Sequence, residues 1–171
     1  MLINIISHIN ARKNKILKNL YLGLLNIEKE ILIQDLKYVG KECFFQMPIC
    51  ITGHNQIEIG DYVSIAAYVH IWGDGGVKIG NRVMIASHTA ITSLSHNYTQ
   101  EDMYRTVVSA SVNIEDDVWI GAHTVILPGV SIGKGAVIGA GSIVTKNIES
   151  YSIAFGCPAK HYKYREIPTQ N

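Results

Sequence analysis

Residues 118–146 read VWIGAHTVILPGVSIGKGAVIGAGSIVTK, with an aliphatic residue at every sixth position: Ile120, Ile126, Ile132, Ile138 and Val144. Two places before each stands a second apolar or small residue, in Val118, Thr124, Val130, Ala136 and Ser142. Glycine follows the anchor at Gly121, Gly133 and Gly139. An α-helix turns every 3.6 residues and cannot keep a six-residue stripe on one face, whereas two residues spaced by two share one face of a strand. Glycine after them lets the backbone turn. The stretch therefore predicts short strands joined at corners, wound into a parallel β-helix with one flat side per six residues and the anchors stacked inside.

The same spacing continues upstream through Ile114, then Ile91, Ile85 and Ile79, then Ile71, Ile65 and Ile59. Accidental alternation in an antiparallel sandwich would not hold so many anchors in register. The register slips twice. Between Ile71 and Ile79 the segment WGDGG adds two residues, and Gly73, Gly75 and Gly76 predict a widened corner. Between Ile91 and Ile114 the spacing disappears, which predicts an excursion loop at about 92–111. A solenoid can eject such a loop without losing its stack, and long loops in compact domains tend to carry function. This one holds His96, Tyr98, Asp102, Tyr104 and Arg105.

The remaining composition sets bounds. The chain has 171 residues, 47% of them hydrophobic and 17% charged, with a formal net charge of +1. That near-neutral balance argues against nucleic acid as a partner. Cys43, Cys50 and Cys157 share no metal-ligand spacing and no disulfide framework, so a reducing cytoplasm is the expected compartment. Three segments are expected: an N-terminal helical segment, 1–45; the β-helix with its loop, 46–150; and a cationic C-terminal tail, 151–171. In the first, Ile16, Leu17, Leu20, Tyr21, Leu24 and Leu25 fall at helical spacing, and Arg12, Lys13, Lys15 and Lys18 precede any acidic residue. No secretory signal is expected there. Two readings stay open: helices capping the open end of the solenoid, or a basic amphipathic helix on the inner face of the membrane.

The stretch at 118–146, followed by FGCPAK at 155–160, resembles the hexapeptide-repeat acetyltransferases. The resemblance implies a left-handed β-helix, a homotrimer and acetyl-CoA bound at clefts between subunits. The loop opening "SLSH" is similar to that of the maltose, galactoside and polysaccharide O-acetyltransferases, and it places the family's catalytic histidine on His96. Coenzyme positions carry over to Trp119, Gly121 and Ala122; to Gly139, Ala140 and Ser142; to Thr145 and Lys146; and to Pro158, Ala159 and Lys160. The galactoside and maltose enzymes have an asparagine on the coil before the histidine. Here the segment SIAAYVHIWGDGG has none, so free galactosides and maltose are not expected acceptors. Its wording is closer to acetyltransferases of surface polysaccharides or their precursors.

The chemistry asks for matching groups. A neutral hydroxyl needs a base to attack a thioester, and histidine is the side chain that titrates near neutrality. Coenzyme phosphates need cations, for which Lys146, Lys160, Lys163 and Arg165 are available. Backbone N–H groups at the corners could hold the oxyanion. No activated nucleophile is evident, so direct attack is expected rather than an acyl-enzyme. His70 beside Trp72, with Asp74 and Tyr98, are candidate acceptor-binding residues, and Asp74 and Asp102 could equally orient His96 or cap turns. His88 and His123 are expected to be outward, in solvent or at subunit contacts. Three alternatives remain: N-acetylation of an amino sugar or other small amine; a zinc site like that of the γ-class carbonic anhydrases, whose close-spaced histidine pair has no counterpart here; and a non-catalytic β-helix scaffold. No metal is expected.

Overall fold

The computed structural model describes residues 2–166, with side chains described from residue 13 onward. The chain divides into two compact units, 1–34 and 35–171. The first is a single helix, α1, Leu2–Asp35. Its residues Ile16, Leu17, Leu20, Tyr21, Leu24, Ile27 and Ile31 are exposed. No helix among the described residues is long and apolar enough to cross a membrane.

The second unit is a left-handed parallel β-helix. Three flat faces run its length. Face 1 pairs, in order, Tyr38–Val39, Ile57–Ile59, Val77–Ile79, Val112–Ile114 and Ser131–Ile132. Face 2 pairs Phe44–Phe45, Ser64–Ile65, Met84–Ile85, Trp119–Ile120, Val137–Ile138, Ser152–Gly156 and Ala159–Tyr164. Face 3 pairs Cys50–Thr52, His70–Trp72, Ala90–Thr92, Val125–Ile126 and Ile143–Val144. All neighbours are parallel except the last two strands of face 2.

The register stacks like on like. Ile59, Ile79, Ile114 and Ile132 lie in line inside face 1. Ile65, Ile85, Ile120, Ile138 and Ala154 line face 2, and Ile51, Ile71, Ile91, Ile126 and Val144 line face 3. The isoleucines of these rows, Ile51 aside, are no more than 2% exposed. Each completely buried aliphatic side chain contributes about 1.5–3 kcal/mol through water exclusion.

Corners are closed by side chains as well as glycine. Lys41 N donates to Asp61 Oδ1, Asp61 N to Asn81 Oδ1, and Asn81 N to Asp116 Oδ1, forming a ladder from coil to coil. At a second corner the buried hydroxyls of Thr89, Thr124 and Ser142 each donate to the carbonyl three residues back, at Ala86, Gly121 and Gly139. These small polar residues hold inward positions because each finds its acceptor in its own turn. The widened WGDGG corner has Gly76 at φ 92, with Gly76 N donating to Gly73 O at 2.7 Å. That left-handed conformation is where glycine is required.

Candidate active site

The excursion is a two-stranded arm. Leu94–His96 pairs antiparallel with Val107–Ser109, placing His96 opposite Val107. Its root is fixed to the coil: Ser93 is buried, and its N and Oγ both donate to the Trp72 carbonyl at 2.9 and 2.8 Å. Ser93 Oγ also accepts from Gly75 N at 2.9 Å, tying the arm to the glycine corner.

His96 stands at the end of the first strand of this arm. Its Nδ1 lies 2.7 Å from the main-chain oxygen of Met103. A carbonyl can only accept, so Nδ1 carries the proton and Nε2 is left with its lone pair free. Asp102 caps the tip instead of touching the histidine: Arg105 N donates to its Oδ1, and Thr106 Oγ1 to its carbonyl. Asp74 Oδ2 accepts from Thr52 Oγ1 at 3.0 Å. Neither carboxylate bonds His96, and the group that orients the imidazole is the main-chain carbonyl of Met103. No residue type announces that contact in the sequence.

Trp72, Thr92, Leu94, Ser95, His96 and Val107 enclose a cavity of about 340 Å³. Face 3 supplies Trp72 and Thr92, and the arm supplies the rest. Of the expected acceptor residues, Trp72 lines this cavity and His70 stacks on Trp72, with ring centroids 3.6 Å apart. Tyr98 lies at the arm's tip, 84% exposed, and Asp74 is held by Thr52. Thr92, Leu94 and Val107 were not singled out from the sequence. Val107 reaches His96 only through the antiparallel pairing, and the hexad spacing carries no trace of that pairing.

The coenzyme candidates gather elsewhere. Trp119 is half-exposed on the outer side of face 2, in register with Val137, Ile153 and Lys163. Three strand spacings separate Trp119 from Lys163, roughly 14 Å. Lys160 and Lys163 lie on the last strand, exposed, and Thr145 and Lys146 are exposed just beyond the final strand of face 3. Among the described residues none of these three lysines has an ion-pair partner. Arg165 donates from Nη1 to the Gly135 carbonyl at 2.7 Å, so one arm of its guanidinium is engaged in the fold. Ala140 and Pro158 are exposed, and Ala122 and Ala159 are half-buried. Ser142 is fully buried, and its Oγ accepts from Gly156 N at 3.2 Å. Its hydroxyl therefore faces the core and anchors the tail, out of reach of a ligand. Gly121 acts by absence: an added Cβ would stand 2.5 Å from Ala140 N on the next coil. Gly139 is under the same constraint, against Phe155.

None of the coenzyme candidates lines the His96 cavity. His88 stacks between Tyr68 and His123 along an outer corner, with centroids 5.0 and 4.7 Å apart. Among the described residues no cluster of His, Cys, Asp or Glu could hold a metal ion.

A family profile described as "Bacterial transferase hexapeptide (six repeats)" matches residues 111–146. The chain is 32% identical over 160 residues to the galactoside O-acetyltransferase of Escherichia coli, covering 84% of this chain and 77% of that one. It is 34% identical over 133 residues to the galactoside O-acetyltransferase of Lactococcus lactis, covering 77% of this chain and 64% of that relative's length. A hexapeptide-repeat-containing acetyltransferase of Vibrio cholerae complexed with acetyl coenzyme A superposes with a TM-score of 0.77. Identity there is 26%, and the match covers 81% of this chain and 76% of that one.

Proposed function

Because this chain belongs to the hexapeptide-repeat acetyltransferases, we propose that it transfers acetyl from acetyl-CoA to a hydroxyl of a sugar in a surface polysaccharide or its precursor. The observation that carries this reading is the Nδ1 contact of His96 with the Met103 carbonyl, which leaves Nε2 as a free base beside a sugar-sized cavity. Nε2 takes the acceptor hydroxyl proton as the oxygen attacks the thioester carbonyl carbon. The tetrahedral intermediate collapses by breaking the carbon–sulfur bond, and the imidazolium returns the proton to the departing CoA thiolate. Trp72 and His70 offer a flat ring face to the acceptor, a common way of holding the apolar side of a sugar.

Acetyl-CoA would lie along Trp119, Ala122, Ala140, Thr145 and Lys146 towards the tail, with its phosphates on Lys160 and Lys163. This strip and the His96 cavity do not share residues within one chain, so the donor and acceptor sites would be completed by a neighbour in a cyclic homotrimer. Phe44, Met84 and Trp119 stand exposed on the outer side of face 2, which supports an interface there. In α1, Lys13, Lys15 and Lys18 are exposed beside an exposed apolar stripe, and we read this helix as a contact with anionic lipid at the cytoplasmic surface. Mass spectrometry of the host's surface glycans with and without the gene tests the function. Loss of base-labile acetyl esters is the expected result; unchanged glycans, or loss of base-stable acetamides only, would refute O-acetylation.

A further inference from the structure

The outer side of face 1 presents a row of groups unlike the other two faces. The strand register sets Tyr38 beside Glu58, Glu58 beside Lys78, Lys78 beside Asn113, and Asn113 beside Ser131. An exposed aromatic ring thus heads a row of carboxylate, ammonium, amide and hydroxyl. The four strand spacings span roughly 19 Å. Glu58 is paired with Lys37 at 2.7 Å. Among the described residues, the Lys78 ammonium makes no ion pair within 4 Å, and its charge helps hold the neighbouring Glu58 carboxyl below its ordinary range, after the larger effect of Lys37.

A trough of about 430 Å³ follows one edge of the row, lined by Gln56, Glu58, Gly76, Lys78, Ser111 and Asn113 among others, and a second hollow of about 320 Å³ lies on the other edge, sharing Lys78 and Asn113; Tyr38 and Ser131 line neither. The trough shares no lining residue with the His96 cavity, and the chain links the two by two routes. From Trp72, on the cavity wall, the chain turns through Gly73–Gly76 into Val77 and Lys78. From Val107, on the opposite wall, it descends to Ser111 and Asn113. Val112 N donates to the Gly76 carbonyl at 3.1 Å, joining these routes. The Ser93 Oγ contact with Gly75 N fixes the same corner to the arm's root.

We propose that this trough binds the flanking residues of a glycan chain whose acetylated sugar occupies the His96 cavity, so that the acceptor is a polymer or oligosaccharide and not a free monosaccharide. This rests on the sugar acetyltransferase reading and specifies its acceptor. Each strand spacing of about 4.8 Å is close to the advance of one pyranose in an extended chain. Glu58, Lys78 and Asn113 therefore offer donors and acceptors to successive sugars. Lys78 and Asn113 make hydrogen bonds to ring hydroxyls.

Direct binding separates this inference from the catalytic one, since it needs no acetyl transfer. Malto-, cello- and chito-oligosaccharides of one to six units are titrated calorimetrically into the full chain and into a Lys78→Ala/Asn113→Ala variant. At least one series should tighten roughly tenfold between one and four or more units, the size expected from one or two hydrogen bonds. The variant should lose most of that gain. Both substituted side chains point outward, so the thermal transition should be retained and reports folding independently. Affinity that does not grow with chain length in any series, or a gain that survives the double substitution, overturns the proposal. Length-dependent binding without acetylation of any acceptor would instead count against the catalytic reading alone.

Discussion

The proposed role of His96 as a base rests on one neighbour that is not a side chain. The Met103 carbonyl fixes the tautomer with Nε2 free, and since it is main chain, no substitution at Met103 removes it. A second residue-scale pairing reports on stability. Arg82 donates from Nε and Nη2 to the two carboxylate oxygens of Asp117, at 2.6 and 2.8 Å, across neighbouring coils. Hydrogen bonding from that guanidinium is the main reason the Asp117 carboxyl sits below its ordinary range. A carboxylate lowered in the folded state contributes stability above its unfolded pKa and loses it as pH falls through the folded value. Arg82 is exposed and Asp117 about one-third exposed, so solvent screening keeps the contribution small. Arg82→Ala should lower stability slightly at pH 7, and the difference from wild type should vanish in acid. Chemical denaturation at pH 7 and in acid checks both sign and size. A difference that grows in acid would contradict the assignment.

At the scale of elements, the coils were legible and the arm was not. Ile59, Ile65, Ile71 and their successors occupy the inward positions that the hexad spacing assigns, since a strand pair spaced by two can bury one side only. Trp119, between the inward Val118 and Ile120, points outward by the same logic. The break at 92–111 was visible as missing spacing, but its antiparallel pairing was not. His96 and Val107 meet through the hairpin, with no periodic signal to announce it. The tail was legible as cationic, yet its two lysines differ from Arg165, which is tied to Gly135. Lys160→Ala should raise the acetyl-CoA KM roughly tenfold, the loss of one charge-assisted hydrogen bond. Its kcat should change less, because phosphate binding is the same in the ground and transition states. An unchanged KM would remove the tail from the coenzyme site. For α1, co-sedimentation with phosphatidylglycerol vesicles should be strong at low salt and weak with phosphatidylcholine alone. Equal binding to both, or none, contradicts a charge-guided lipid contact.

For the whole molecule, the proposed coenzyme strip and the His96 cavity share no lining residue within one chain. The outward row on face 2 and the separation of the tail from the His96 cavity both point to completion by neighbouring copies. Chains of 18.9 kDa should sediment as trimers. The account stands most directly on one measurement: the rate of CoA thiol release with acetyl-CoA and an oligosaccharide acceptor, for wild type and for His96→Ala. His96→Ala should lower kcat roughly 10²- to 10⁴-fold, the range of a lost general base. The acid limb of the wild-type kcat/KM profile should disappear, while acetyl-CoA binding and the trimer persist. A variant that keeps more than about half the wild-type kcat, with the acid limb intact, would contradict His96 as the base.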